Sequence, residues 1–437
     1  MDWYIVILLF FVLLIISIFF GFPVAFGFFL VNSIVAIIFI GFDSGIPTLI
    51  NSAFESLAKF TLTPVPLFIL MGTILFHTGL INILLDGISK LLGRVPARLS
   101  ILSIGTGTVL SAMSGSATAD AAMLSSTLAP EMQKRGYHLR MIVGPITSAG
   151  VLAVIIPPST LAILLGSTAR ISVGDILLAG IVPGLMIAFA LLIYYLMLGY
   201  LKPDLAPNND FKVYGLKDRM KALFLHVLPI SSLIFFVLGL IFSGNVTPTE
   251  SAATGVAGAI LLSIIFKKFN IKSMTKAFIE TVRVGSMILF IIAASAGFSQ
   301  ILAYTGATRE LVNFVISFDM LPIITVIIML LIILVLGTFM EAISIMMITT
   351  PLYFPVIDAL GYDPIWFGIL MLICLGLANI TPPFGLLLFI IKGALPSNVP
   401  IKSIYLSVVA PVLIYIGIII ILMIFPNLVT WIPNLGG

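Results

Sequence analysis

The chain carries little charge. Only 9% of its residues are Asp, Glu, Lys or Arg, against 61% that are hydrophobic. Soluble chains carry about 25% charged residues, and a mean hydropathy of +1.27 excludes a water-soluble globule. Cysteine is nearly missing: Cys374 stands alone in an apolar run, so there is no intrachain disulfide and no thiolate cluster. Histidine occurs three times, as His77, His138 and His226, without the spacing of a metal site. There is no Walker motif, nucleophile elbow or HExxH helix, which removes ATP hydrolysis and leaves no catalytic constellation, so an enzyme is not expected. Runs such as residues 5–20 lack the polar–apolar alternation of a membrane β-barrel. What remains is an all-α polytopic membrane protein, because a helix satisfies its own backbone where no water reaches.

Apolar segments come in order. Spans are expected at residues 3–20 and 23–40, the first lacking the positive region of a signal peptide and read as a retained span. A polar stretch with Asp43, Glu55 and Lys59 follows, then a long helix over 64–92 loosened at Thr78-Gly79. Two arms, 99–110 and 121–132, are each too short to cross and flank the polar run Ser111-Ala-Met-Ser-Gly-Ser-Ala-Thr-Ala-Asp120, which predicts a re-entrant hairpin over about 99–132. A helix from Leu139 breaks at Pro157-Pro158 and resumes to Ser167; a span over 176–200 ends the first half. The stretch 201–220, rich in Pro, Asn and mixed charge, reads as a linker. The second half repeats the plan: spans at 222–242 and 248–266, a long helix from Val284, a hairpin over about 321–354, a broken helix over 364–391 and a span over 403–425. The basic stretch from Lys267 to Arg283 is expected to lie as an amphipathic helix on the lipid surface, and Trp3, Trp366 and Trp431 in an interfacial aromatic belt.

Spacing supports an internal duplication. Pro23 matches Pro248, Pro130 matches Pro355, Gly136-Tyr137 matches Gly361-Tyr362 and Pro157-Pro158 matches Pro382-Pro383, all 225 residues apart; Thr78-Gly79 and Thr305-Gly306 match at 227. Five crossings and one hairpin per half make two inverted repeats. With both termini outside, ten crossings place 18 of the 21 Lys and Arg on the cytoplasmic side, leaving only Lys59, Arg170 and Arg309 outside. The formal charge of +4 is then the positive-inside asymmetry and needs no nucleic-acid partner.

Short hydrophobic segments broken by Gly or Pro at matching places in two halves point to a transport site. At the first tip Ser111, Ser114, Ser116 and Thr118 supply hydroxyls, Gly115 a carbonyl and Asp120 a carboxylate, a hard-oxygen set suited to Na⁺. At the second tip Gly337-Thr338-Phe339-Met340-Glu341 holds the other intramembrane carboxylate. The prolines break helical hydrogen bonds, freeing carbonyls at Ile155, Ile156, Asn379 and Ile380, while the helices that restart near Ser159-Thr160 and Phe384-Gly385 turn their N–H ends to the break. We expect Na⁺ at Ser114, Gly115, Asp120, Ile156, Gly337, Thr338, Glu341, Asn379 and Ile380, and an anionic substrate at Ser111, Ser116, Ser159, Thr160, Thr381 and Phe384. A second reading makes Asp120 or Glu341 a proton carrier. Thr247-Pro-Thr-Glu250 reads as a capping box.

Seven features, in this order along the chain, resemble the large membrane subunit of the tripartite ATP-independent periplasmic (TRAP) transporters: Gly21-Phe-Pro-Val-Ala25, Ser114-Gly-Ser-Ala-Thr-Ala-Asp-Ala121, Pro130-Glu-Met132 with Gly136-Tyr137, Ile156-Pro-Pro-Ser159, Pro183-Gly184, Thr247-Pro-Thr-Glu250 and Thr381-Pro-Pro383. The resemblance implies an elevator-type, Na⁺-driven importer in a bacterial inner membrane. It implies two partners, a separate four-helix small membrane subunit and a periplasmic substrate-binding protein, and organic-acid substrates such as dicarboxylates, sialic acid or sugar acids. It divides the chain into a scaffold (1–97 and 221–319) and a transport domain (98–200 and 320–437), joined by the cytoplasmic linker 201–220. The residues alone also fit a stand-alone Na⁺/anion symporter of the divalent-anion type or a Na⁺/H⁺ antiporter.

Overall fold

The computed structural model describes residues 3–93, 95–207, 214–244, 246–318, 320–383 and 385–435, so Phe384, Arg94 and Lys212 lie outside the described residues. Its helices, in chain order, are α1 (Trp3–Phe19), α2 (Val24–Phe39), α3 (Phe42–Leu57), α4 (Pro64–His77), α5 (Leu80–Leu91), α6 (Arg98–Ser114), α7 (Ala117–Lys134), α8 (Leu139–Leu152), α9 (Thr160–Ala169), α10 (Val173–Ala179) and α11 (Ile181–Leu201). The second half follows with α12 (Leu216–Ala222), α13 (Leu228–Phe242), α14 (Pro248–Ile265), α15 (Ile271–Thr305), α16 (Ala307–Ser317), α17 (Pro322–Leu336), α18 (Ala342–Ala359), α19 (Pro364–Ala378), α20 (Leu386–Ala394), α21 (Ile401–Ile424) and the short α22 (Asn427–Thr430). Among the described residues there is no strand. Among the described residues, seven helical stretches are long and apolar enough to cross a membrane, and six apolar helices of 10–17 residues accompany them. The protein is a multi-pass helical membrane protein.

Helix boundaries follow the spacing read from the sequence. α7 and α18 are both 18 residues long and start 225 residues apart. Both Pro-Pro bonds are cis, at Pro157-Pro158 and Pro382-Pro383. The halves differ in detail: α3 and α4, for example, are separated by a short 3-10 turn at Phe60–Leu62, whereas α15 runs unbroken for 35 residues. Gly79 and Gly306, both left-handed, end α4 and α15 at equivalent turns.

Several expectations change. The long helix of the second half starts at Ile271 rather than near Val284, so most of the basic stretch is the first part of α15 and not a separate surface helix. Asn270 starts it: its side chain accepts from the Lys272 N–H at 2.9 Å, and no Pro or Gly interrupts the chain until Gly285, where a helix carries on. The linker is shorter than 201–220, because helix resumes at Leu216 and continues through a π-turn at Leu223–Val227 into α13. The polar stretch after α2 is the helix α3.

Trp366 is not in an interfacial belt. It is 1% exposed and its Nε1–H donates to the Leu422 carbonyl of α21 at 2.8 Å. A buried indole needs such a partner, and the α19–α21 contact supplies it. Trp431, by contrast, is 59% exposed. Trp366→Phe should lower stability by about 0.5–1.5 kcal/mol through the lost hydrogen bond, while Trp431→Phe should not. Thermal unfolding of the two purified variants in detergent checks this; equal midpoints would remove the structural role.

Apolar burial does not draw helices together in lipid, so close packing and interhelical hydrogen bonds must. Phe10 stacks on Phe298 with ring centroids 3.9 Å apart, Asn32 Nδ2 donates to the Ala294 carbonyl at 2.6 Å, and Tyr415 Oη donates to the Ser148 carbonyl at 2.9 Å. α15 lies along α2, α3 and α4, and α8 lies between α6, α7 and α21. The groups meet where α4 packs on α6 and α9, and α15 on α18.

Candidate functional site

The first polar run is mostly helical. α6 continues to Ser114 and α7 begins at Ala117, so the turn is only Gly115-Ser116. Gly115 makes this possible. Its φ of +57° is left-handed, and a Cβ there would sit 2.8 Å from the Pro158 carbonyl and 3.1 Å from Thr160 Oγ1. The tip therefore rests directly on the first Pro-Pro break. Ser116 caps α7, accepting from the Ala119 N–H at 3.4 Å. α4 closes on the tip from the other side: a Cβ on Gly72 would lie 2.7 Å from the Met113 carbonyl.

Asp120, 3% exposed, lies in the first turn of α7, where a carboxylate complements the helix dipole. Ser114 Oγ donates to its Oδ1 at 2.6 Å. Ser111 Oγ lies 3.3 Å from Oδ2 and 3.2 Å from the Ala149 carbonyl and can donate to either. At the second tip Glu341 caps α18, accepting from the Ile343 N–H at 3.2 Å. Thr338 turns its hydroxyl back to the Val335 carbonyl at 2.7 Å, and Gly337 packs against Ala378 of α19. The two carboxylates thus differ in position: one lies inside its helix, the other is a cap.

A cavity of about 540 Å³ lies between the tips and brings Ser114, Gly115, Ser116, Asp120, Thr160, Glu341 and Asn379 to one place. Among the described residues, the other expected ones do not line it. Ser111 is fully buried behind Asp120. Ser159 is the cap of α9, donating to the Val154 carbonyl at 2.6 Å and accepting from the Ala162 N–H at 3.2 Å. Thr381 donates to the Leu377 carbonyl at 2.7 Å. Ile156, Ile380, Gly337 and Thr338 also lie off the cavity wall.

The Pro-Pro breaks free fewer carbonyls than expected. The Asn379 carbonyl is not free, because the Leu387 N–H donates to it at 3.1 Å. Among the described residues no backbone N–H donates to the Ile156 or Ile380 carbonyl.

Three contributions escape the sequence reading. α4 lines the cavity with Ile69, Gly72, Thr73 and Phe76, and α15 with Glu280, Val284, Met287 and Ile288. Glu280 is a third carboxylate, and His77 Nε2 lies 2.5 Å from its Oε2. These positions fall at helical spacing along one stripe of each helix, a signal present in the sequence but hidden by placing residues 267–283 outside the membrane.

Comparison with known proteins gives the family. Residues 10–435 match the family model described as the tripartite ATP-independent periplasmic transporter, DctM component. The chain is 28% identical over 386 residues to the C4-dicarboxylate TRAP transporter large permease protein DctM of Pseudomonas aeruginosa, with 88% of each chain covered. It is 27% identical over 423 residues to the sialic acid TRAP transporter large permease protein SiaM of Vibrio cholerae, with 95% of each covered. Among solved structures it superposes on the Alcanivorax borkumensis YdaH transporter with a TM-score of 0.69 at 12% identity, covering 92% of this chain and 97% of that one, a likeness of fold alone. A matching family model over nearly the whole length, on a helical membrane frame with two tips facing one cavity, makes this chain a member of the TRAP transporter large membrane subunit family.

Proposed function

We propose that the chain performs the membrane step of Na⁺-coupled import of a small organic acid, delivered by a periplasmic binding protein and carried by an elevator movement alongside a small four-helix subunit. One observation carries the coupling. Among the described residues, the cavity between the tips is lined by three carboxylates, Asp120, Glu280 and Glu341, and by no Lys or Arg. Each ionised carboxylate repels an anion ~6 Å away by about 3 kcal/mol at an effective dielectric near 20. An organic acid therefore needs cations there first. Na⁺ held by the tip oxygens would reverse the local sign, so cation and acid would bind together.

The substrate class is supported by two relatives, the transporter of a C4-dicarboxylate and that of sialic acid. The basic residues support an orientation with both termini periplasmic in a bacterial inner membrane, and with the two hairpins entering from opposite sides. The two packing groups that meet at α4–α6 and α15–α18 fit a scaffold and a moving domain, and the shared tips would travel with the latter.

In proteoliposomes holding both membrane subunits, uptake of a radiolabelled acid should require the binding protein and an inward Na⁺ gradient. Replacing Na⁺ by choline should reduce uptake to background. Uptake of free acid without the binding protein would instead mark a stand-alone symporter, and Na⁺ efflux driven by a pH gradient without substrate would mark an antiporter.

A further inference from the structure

A second cavity, of about 350 Å³, lies at the other end of the helices that wall the first. α9 reaches the first cavity with Thr160 and the second with Arg170; α18 does so with Glu341 and Asp358. α15 lines the first over residues 280–288 and the second over 292–300, which sets the two about 18 Å apart along one helix axis. The cavities therefore lie toward opposite ends of these helices, the first nearer the basic start of α15.

The charges of the second cavity are unlike those of the first. Of 21 basic residues, only Lys59, Arg170 and Arg309 fall away from the basic side, and two of those three line this one cavity. Neither makes an ion pair among the described residues. Burial and then the Arg170 guanidinium pull the Lys59 ammonium below the usual lysine range, offset in part by Glu55, so the two cations sense each other. Glu55 and Asp358 share the rim. The floor offers little competition: Ser295 and Thr350 are buried and return their hydroxyls to the Ile292 and Met346 carbonyls of their own helices. Thr61 and Ser167 bond across the wall at 2.8 Å.

We propose that this cavity is a second binding site, for a hydroxylated organic acid whose carboxylate is held between Lys59 and Arg170 and whose hydroxyls donate to Glu55 and Asp358. Both cations are unpaired, and an anion between them relieves their repulsion. The two carboxylates disfavour a second negative charge and accept from hydroxyl groups, so a hydroxylated monocarboxylate fits better than a dicarboxylate. The site rests on the import reading, in which it receives the acid at the face opposite the first cavity. It requires no Na⁺, because its cations are side chains.

The test is protection from labelling. Ser299 lines the cavity and is exposed, whereas the native Cys374 is buried, so a Ser299→Cys variant of the full chain in nanodiscs reports on this site. In Na⁺-free buffer a millimolar site predicts that about 10 mM gluconate slows maleimide labelling about 10-fold. Succinate should protect less, and chloride at equal ionic strength not at all. Adding Lys59→Gln with Arg170→Gln should abolish protection, while Arg170→Lys should retain it. No protection by gluconate, equal protection by chloride, or protection that survives the double substitution would each overturn the site. Uptake in proteoliposomes is read separately. Protection without any Na⁺-driven acid uptake would overturn the import reading and leave the site; uptake without protection would do the reverse.

Discussion

Asp120→Asn is expected to raise the Na⁺ concentration needed for half-maximal uptake about 10- to 100-fold. Asparagine keeps the shape of the side chain and can still accept from Ser114, now 2.6 Å away, but it has no charge to offer a cation. Interactions with a charged partner are worth about 1.5–3 kcal/mol, and each 1.4 kcal/mol is a factor of ten. Asp120 itself is only 3% exposed, so solvent does little to screen the loss. Glu250→Gln is the control: Glu250 is an exposed cap, accepting from the Thr247 N–H at 2.8 Å, and its change should leave the Na⁺ dependence alone. Initial uptake rates at graded Na⁺ decide the matter, and an unchanged curve for Asp120→Asn removes this carboxylate from cation coupling.

The second large effect should come from one methyl group. Gly115→Ala forces an L-residue into a left-handed conformation, which costs about 1–2 kcal/mol. Its Cβ then lies 2.8 Å from the Pro158 carbonyl, a backbone oxygen that cannot rotate aside. Tip and break must separate, and together the two terms make a loss of about 2–4 kcal/mol. Gly105→Ala, in the same hairpin, meets nothing within 4 Å and replaces a poor helix former by the best one, so it should be neutral or stabilising. Thermal unfolding of both variants, with uptake measured alongside, separates a local clash from general intolerance to change. Equal behaviour of the two would mean that the tip does not rest on the break.

Much of the frame was legible because its signals are local. A lack of charge fixes the membrane class, and Pro and Gly mark breaks wherever they stand. The hairpin over 99–132 corresponds to α6 and α7, and the capping box at Thr247–Glu250 is present with both its hydrogen bonds. The errors are of another kind. Trp366 reads as an interfacial residue until α21 lies over it. The polar run of ten residues reads as a tip outside both arms, although eight of them are helical, because Ser and Ala are compatible with both states and only Gly115 and Ser116 need leave the helix. Residues 267–283 read as a separate helix because a short-range count of charge overlooks that the stretch from Ile271 on continues into α15.

By itself the sequence determined the membrane class, the 225-residue spacing of Pro and Gly and the chemical kinds at the two tips, since hydropathy, residue spacing and helix breaking are properties of short segments. The tertiary structure decided which of those groups share a cavity. Glu280 meets His77 across 203 residues of chain, Asp120 and Glu341 face one space from tips more than 200 residues apart, and Lys59 meets Arg170 at the far end of the same helices. Such meetings depend on how helices cross and how closely Gly72 and Gly115 let backbones approach. No local pattern encodes that, because it is a relation between surfaces that exist only once the helices have packed.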